Sequence, residues 1–362
     1  MKTIVSKSDL QDAINCVMPA VAVKSSTPIL GGVFFSAEKS GLTVRATNFQ
    51  LDITAKIPAT VETAGATVTT GKFLQPIVNK LSGEIVTLET GDTLTVKSEA
   101  ASFSLLTMDA DDFPNPAADQ PVSTFRISGA ALRNLINRTA FACGDDQTRP
   151  HFTGVHFNVD GTNIRAEGSN AHRIAIANDQ TYDSANADII VPATTLKAIA
   201  PALVRQVVTV DIFPRAVAFT FDNIHILSRL VDGSFPNTAK TIPESVATSA
   251  TVDANELKAA LERVRVIAKE TDYKTVACIF TADGLEISSN QQNIGRVIEH
   301  VDADVSGADI NIAFNFAYLL EGMKAAGGDR VKFGLNGELE PAALNNPDDA
   351  TFLYIVTPLR TR

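Results

Sequence analysis

Apolar residues recur at i, i+3, i+4 and i+7 in three places: Leu10, Ala13, Ile14, Val17; Leu132, Leu135, Ile136, Thr139; and Leu257, Ala260, Leu261, Val264. That spacing predicts an amphipathic helix at each, the middle one ending on a half-apolar threonine. A second helix in each set starts its stripe at Leu74, Leu196 and Leu319. Ser8 with Gln11 and Asp253 with Glu256 read as capping boxes, and Ser128 is placed to cap the middle helix. Between the helices, apolar and polar residues alternate over runs such as 41–53, 86–96 and 207–221, the period of half-buried strands.

The pattern repeats with a period near 122. Gly32-Val33-Phe34-Phe35 returns as Gly154-Val155-His156-Phe157, 122 residues on, and Ala277-Cys278-Ile279-Phe280 lies another 122 beyond Val155. Each copy continues through a glycine turn (Gly41, Gly161, Gly284) to an asparagine (Asn48, Asn170, Asn290). Phe113-Pro114-Asn115 returns as Phe235-Pro236-Asn237, and Pro358 follows Pro236 by the same 122. The helical stripes keep the beat, at offsets of 122 and 125 for the first set and 122 and 123 for the second. Such recurrence predicts three homologous α+β domains, 1–122, 123–245 and 246–362, each with two helices on antiparallel sheets of roughly eight strands. The junctions, Pro121-Val122-Ser123 and Thr248-Ser249-Ala250, carry no flexible linker composition, so the domains are expected to abut.

Composition narrows the class. With 45% apolar and 20% charged residues the chain is globular, and no apolar run approaches the roughly 18 residues of a membrane span. The opening MKTIVSKSDL lacks the apolar core of a signal peptide, and Cys16, Cys143 and Cys278 form no CxxC pair, which points to a reduced, cytoplasmic setting. The formal charge is −10, but it is unevenly spread. The six predicted helices with their flanks sum to +7, carried by bases such as Lys72, Lys80, Arg133 and Lys197, leaving −17 for the rest. On any one helix such bases are ordinary solvated surface. Segregated over several equivalent helices, they suit a phosphate backbone held without sequence preference.

Catalytic motifs are missing. His151, His156, His172, His225 and His300 make no close ligand pair, and neither GxSxG nor GxGxxG occurs. The stretch from Gly65 to Gly71-Lys72-Phe73 is one residue too long for a phosphate loop and lacks the hydroxyl after lysine. Nothing in the chain asks for a metal or other cofactor.

The chain resembles the bacterial sliding clamps, the β subunits of replicative DNA polymerase, over essentially its full length. The residues that carry the resemblance are Thr27-Pro28-Ile29-Leu30-Gly31, Gly71-Lys72-Phe73-Leu74, Asp111-Asp112-Phe113-Pro114-Asn115, Asn170-Ala171-His172-Arg173-Ile174-Ala175, Gly233-Ser234-Phe235-Pro236-Asn237, Phe314-Asn315 and Thr357-Pro358-Leu359-Arg360. The resemblance implies a non-catalytic processivity factor. In it two copies join head to tail into a six-domain ring around double-stranded DNA, with the helices inside. It implies a joint through Phe103 on one side and Ile267 with Ala268 on the other.

It also implies a groove that holds short linear motifs of polymerase subunits, the clamp loader and repair proteins. The matching groove positions are Phe152, Ser169, Ala171, His172, Arg173, Ile174, Pro236, Lys240, Thr241, Ile355, Thr357, Pro358, Leu359 and Arg360, with Arg173, Lys240 and Arg360 expected at its rim. Lys24, Arg149 and His151 match DNA-facing positions most closely, ahead of Lys72, Lys80, Arg133 and Lys197.

The chain departs from the family in places. Thr357 and Leu359 stand where methionines are common, Thr361-Arg362 extends the end, Lys240-Thr241 replaces an Arg-Val type pair, and Ala193-Thr194 replaces a basic pair after Pro192. Three other readings stay open at this point: a specialised, non-replicative clamp, a repeat-built protein scaffold with no DNA role, and an enzyme with a site near His172 and Arg173.

Overall fold

A computed structural model describes residues 1–115 and 120–360. Among them are six α-helices: α1 (Lys7–Val17), α2 (Gly71–Lys80), α3 (Gly129–Thr139), α4 (Ala193–Ile199), α5 (Ala254–Ala268) and α6 (Phe316–Ala326). Every stripe residue expected on α1, α3 and α5 is buried, as are Leu74, Leu196 and Leu319. Twenty-four strands accompany them, all paired antiparallel where their registers are given. The middle third holds fewer strands because two of its strands, Gly154–Ser169 and Arg173–Pro192, run unbroken through the stretch that the other thirds divide.

One capping expectation fails. α1 starts at Lys7 and its cap is Ser6, whose hydroxyl accepts from the Asp9 amide at 3.4 Å, so Ser8 lies inside the first turn. The strand Lys2–Ser6 ends on Ser6 and delivers that residue to the cap in extended conformation. At α5 the expected cap is present: the Asp253 carboxylate accepts from the amides of Asn255 (2.8 Å) and Glu256 (2.9 Å). Ser128 directly precedes α3.

The chain divides into two compact units. The first comprises Met1–Leu132, Thr181–Ala187 and Thr194–Leu230. Its frame is a thirteen-stranded antiparallel sheet that crosses from the first third of the sequence to the second where Leu51–Ile57 pairs with Ile224–Arg229. In that register Ile53 lies opposite Ile226. α1 covers this sheet with Leu10, Ile14 and Val17 and packs beside α2.

The second unit comprises Arg133–Gln180, Asp188–Ala193 and Val231–Arg362. It contains a seven-stranded sheet and a four-stranded sheet. The larger sheet also crosses between thirds of the sequence, where Arg173–Ala177 pairs with Phe352–Val356 and Ala175 lies opposite Tyr354. α5 and α6 pack on each other, α5 against the four-stranded sheet and α6 against Phe352–Val356 of the larger one.

Candidate functional site

The residues expected to form a groove lie in the second unit around one turn. The strand Gly154–Ser169 reverses through Asn170, Ala171 and His172 into Arg173–Pro192. Local side chains lock the reversal. The Ser169 hydroxyl accepts from the Ala171 amide (3.2 Å) and donates to the Arg173 carbonyl (2.9 Å), while Asn170 Oδ1 accepts from the amides of His172 (3.0 Å) and Arg173 (3.2 Å). Ala171 sits at φ 73°, a left-handed conformation that asparagine or glycine takes more readily. The chain end is tied to this turn, because the amide and hydroxyl of Thr357 both donate to the His172 carbonyl at 3.0 Å. Two residues on, the Leu359 amide donates to the Ala313 carbonyl.

Beneath the turn Ile174, Ile176 and Ile355 form a buried apolar cluster, with Ile242 and Leu353 packed partly exposed against it. Lys240 and Thr241 belong to a single 3₁₀ turn that leads directly into Ile242. Pro236, Ala171, His172, Lys240 and Arg360 are exposed, and Thr357, Pro358 and Leu359 are half-buried. Phe152 meets Phe235 edge to face at 6.1 Å, which places it next to Pro236. The result is an apolar floor with polar margins, the arrangement that takes an apolar peptide side chain.

Arg173 does not take its expected place at the rim. Its side chain is buried and forms an ion pair with Glu321, donates to the Phe141 carbonyl at 2.6 Å, and lies 4.4 Å over the Tyr318 ring. It is internal to the unit, and Lys240 and Arg360 are the exposed bases. Ser169 and Ile355 are likewise buried, as turn lock and floor. Sequence reasoning missed Ile242, Tyr318 and Glu321. Ile242 was signalled by its apolar step after Lys240-Thr241, whereas nothing local links Glu321 to an arginine 148 residues earlier. The Thr361-Arg362 extension lies outside the described residues.

The candidate DNA contacts are exposed except for half-buried His151, whose ring stands 4.4 Å from Phe152. Arg149 pairs with Asp146 at 3.1 Å across a solvated bridge that costs little to exchange for a phosphate. Hydrogen bonds from Thr148, first from its hydroxyl and then from its amide, hold the Asp146 carboxyl below its usual pKa, with Arg149 adding to them. The Lys72 ammonium lies 5.5 Å over the Phe73 ring. Arg138, one of the bases in the helix tally, is withdrawn from it by a 2.6 Å ion pair with Asp349.

Phe103 is 40% exposed on the strand Ala101–Met108. That strand pairs with Thr93–Ser98 along one side, and on the other reaches Gly65–Thr70 only at Thr107 and Met108. The Leu106 carbonyl accepts from the Thr69 hydroxyl at 2.9 Å, so the five residues before it present an open edge. Gly295–Val301, the last strand of the four-stranded sheet, presents another. Ile267 is half-buried, but Ala268 is completely enclosed by its own unit and offers no surface to a partner; the neighbouring exposed side chain is Val266. Among the described residues no group of three or more His, Cys, Asp or Glu is placed to hold a metal ion, and no helix is long and apolar enough to cross a membrane.

Comparison with known proteins matches three family models in order along the chain. They are the N-terminal domain of the DNA polymerase III beta subunit at residues 1–117, its central domain at 126–237 and its C-terminal domain at 239–360. The beta sliding clamp of Bacillus subtilis (strain 168) is 29% identical over an alignment 382 positions long that covers all of both chains. Among solved structures, the DNA polymerase sliding clamp of Bacillus subtilis aligns with a TM-score of 0.93 at 28% identity. The DNA polymerase III beta subunit of Thermotoga maritima aligns with a TM-score of 0.94 at 26% identity, and both alignments cover 100% of each chain. With its three domains matched in sequence and its whole length matched in fold, the chain belongs to the DNA polymerase III beta subunit family.

Proposed function

We infer that this chain is a DNA sliding clamp, a non-catalytic processivity factor that encircles duplex DNA as a head-to-tail dimer and tethers the replicative polymerase and other clamp-binding proteins. The observation that carries the reading is how the sheets end. Both in-chain crossings use one register, with Ile53 opposite Ile226 and Ala175 opposite Tyr354. The hairpin pairings make Phe103 the counterpart of Ile226, since Val96 faces the one as Phe219 faces the other. The 122-residue period makes Val297 the counterpart of Ala175 and Ile53.

Phe103 and Val297 lie on the two strands with open edges. Pairing Ala101–Leu105 of one copy with Gly295–Glu299 of a second would cover both edges and place Phe103 opposite the partner's Val297. Such a contact joins two different surfaces, and the same contact made in return closes the assembly. Exposed edges of this kind invite pairing with another chain.

A closed ring retains DNA by topology, so its contacts can stay weak and sequence-independent. Exposed Lys24, Lys72, Lys80, Arg133 and Lys197, together with Arg149 and His151, supply contacts of that kind to phosphates. The groove floored by Ile174 and Ile355 is the dock for partner peptides, and the domains run 1–122, 123–245 and 246–362. Its place of work is the bacterial cytoplasm.

Sedimentation of wild type beside Ile267→Asp tests the joint. The expected result is a wild-type dimer of twice 38.5 kDa that falls to monomer in the variant, with the wild type retained on circular DNA and released on linearisation. A wild type that stays monomeric at micromolar concentration would remove the ring. For the groove, Leu359→Asp should release a polymerase subunit that wild type retains.

A further inference from the structure

The turn at His172 has a counterpart in the first unit. There the Thr47 hydroxyl accepts from the Phe49 amide and donates to the Leu51 carbonyl, both at 3.3 Å. Asn48 Oδ1 accepts from the amides of Gln50 (3.0 Å) and Leu51 (2.9 Å), and Phe49 sits at φ 68° beside the 73° of Ala171. The two turns are one design, repeated 122 residues apart. Their tips differ. A phenylalanine in the left-handed region is strained, and this one is 53% exposed, so its own core does not explain it.

Phe49 borders a cavity of about 510 Å³, within the size range of ligand sites. Phe213 and Leu227, both half-buried, contribute apolar wall. Arg45 is spent on the floor: it forks onto Asp52 at 3.1 and 2.6 Å and donates to the Pro114 carbonyl (2.7 Å) and Asn115 Oδ1 (3.2 Å). Arg215 and Arg229 are exposed at the margin, and neither has an ion pair among the described residues. Two uncompensated guanidiniums over an aromatic and aliphatic wall are conspicuous on a chain of charge −10.

We propose that this cavity is a second peptide dock, selective for a short acidic segment whose aromatic side chain stacks on Phe49 while a pair of carboxylates is held by Arg215 and Arg229. The proposal rests on the reading of the His172 groove as a peptide dock, because the repeated turn is what links the two. Carboxylates take the fork of a guanidinium in bidentate fashion, and an aromatic ring in the cavity hides apolar surface that Phe49 and Phe213 leave exposed. Two cations beside an apolar wall fit one aromatic and two acidic peptide side chains better than a run of phosphates.

Fluorescence anisotropy on the full chain, with the fluorescein-labelled hexapeptide Gly-Phe-Ser-Asp-Asp-Gly as probe, tests it. Binding should fall tenfold or more in the double variant Arg215→Glu with Arg229→Glu. It should fall comparably when wild type meets the Asn-Asn analogue of the peptide, and Leu359→Asp in the other groove should leave it unchanged. The proposal is overturned if the double variant binds like wild type, if binding is lost in Leu359→Asp instead, or if a ten-residue oligo-dT occupies the site and the hexapeptide does not. A Leu359→Asp chain that still retains polymerase sinks only the reading of the His172 groove, since the hexapeptide signal depends on Arg215 and Arg229.

Discussion

The ring of Tyr354 occupies the space a side chain on Gly322 would need: a Cβ there would lie 2.3 Å from two ring carbons. Tyr354 cannot retreat. Its hydroxyl donates to the Tyr318 carbonyl at 3.0 Å, one turn earlier on α6, its ring leans on Phe141 at 5.8 Å, and its backbone pairs with Ala175 across the sheet. Gly322→Ala should therefore destabilise the protein by about 1–3 kcal/mol despite the higher helix propensity of alanine. Urea unfolding measures it, and an unchanged midpoint would mean that α6 slides freely over the strand.

The register shared by the two in-chain crossings predicts a cross-link. A chain carrying Phe103→Cys and Val297→Cys should oxidise to a covalent dimer on a non-reducing gel, because directly opposed residues on antiparallel strands bring Cα atoms to about 4.5–5.5 Å, within disulfide reach. Moving the second cysteine to Ile294, three residues out of register, should abolish the product. Equal yields from both pairs would disprove the register.

Asp349 gives a pH signature. Burial pushes its carboxyl up, but hydrogen bonds from the Thr351 hydroxyl and amide (2.5 and 2.8 Å) and from Arg138 outweigh that and leave its pKa below the usual carboxylate value of 3.8. A carboxyl depressed in the folded state contributes stability that is complete above its unfolded pKa and is lost as pH falls through the folded one. Asp349→Asn should cost about 1–2 kcal/mol at pH 7, and the gap to wild type should narrow below pH 4. Parallel denaturation curves at pH 7 and pH 3 decide it.

Burial pushes the Cys278 thiol up to about 12 and that of Cys16 to about 11. The thiolate is the reactive form, so native protein at pH 8 should keep both unalkylated by iodoacetamide, and both should label once guanidinium unfolds the chain. Peptide mass spectrometry reads the outcome directly.

What the sequence makes legible follows from the range of the forces involved. The stripes on α1, α3 and α5 are local 3.6-residue patterns, and each is buried as they imply. The cap of α1 was misplaced, because Ser8 with Gln11 has capping spacing but the strand that ends on Ser6 puts the cap two residues earlier. The turn at Asn170 was visible as a recurring asparagine, but its role as a lock depends on backbone amides that no alphabet records. Arg173 was misplaced for a different reason. Its fate rests on Glu321, Tyr318 and the Phe141 carbonyl, and tertiary packing alone brings α6 to it. Arg138 and Asp349, 211 positions apart in sequence, hid their pairing in the same way.

The compact units and the sequence repeats are out of phase. The first unit takes Ser123–Ser128 and 207–229 from the middle repeat, and the second takes Gly154–Ser169 and 231–245. What was inherited as one module is thus physically shared between two. A gene chimera that exchanges the middle third with a relative would have to remake a sheet seam at Ile53 and another at Tyr354. The two seams interleave along the chain, so a single break within the middle third separates the partners of at least one, and a break between 177 and 224 separates both. Recombination between relatives should therefore favour single crossovers at the module's borders, which mix one seam, over crossovers in its centre, which mix two.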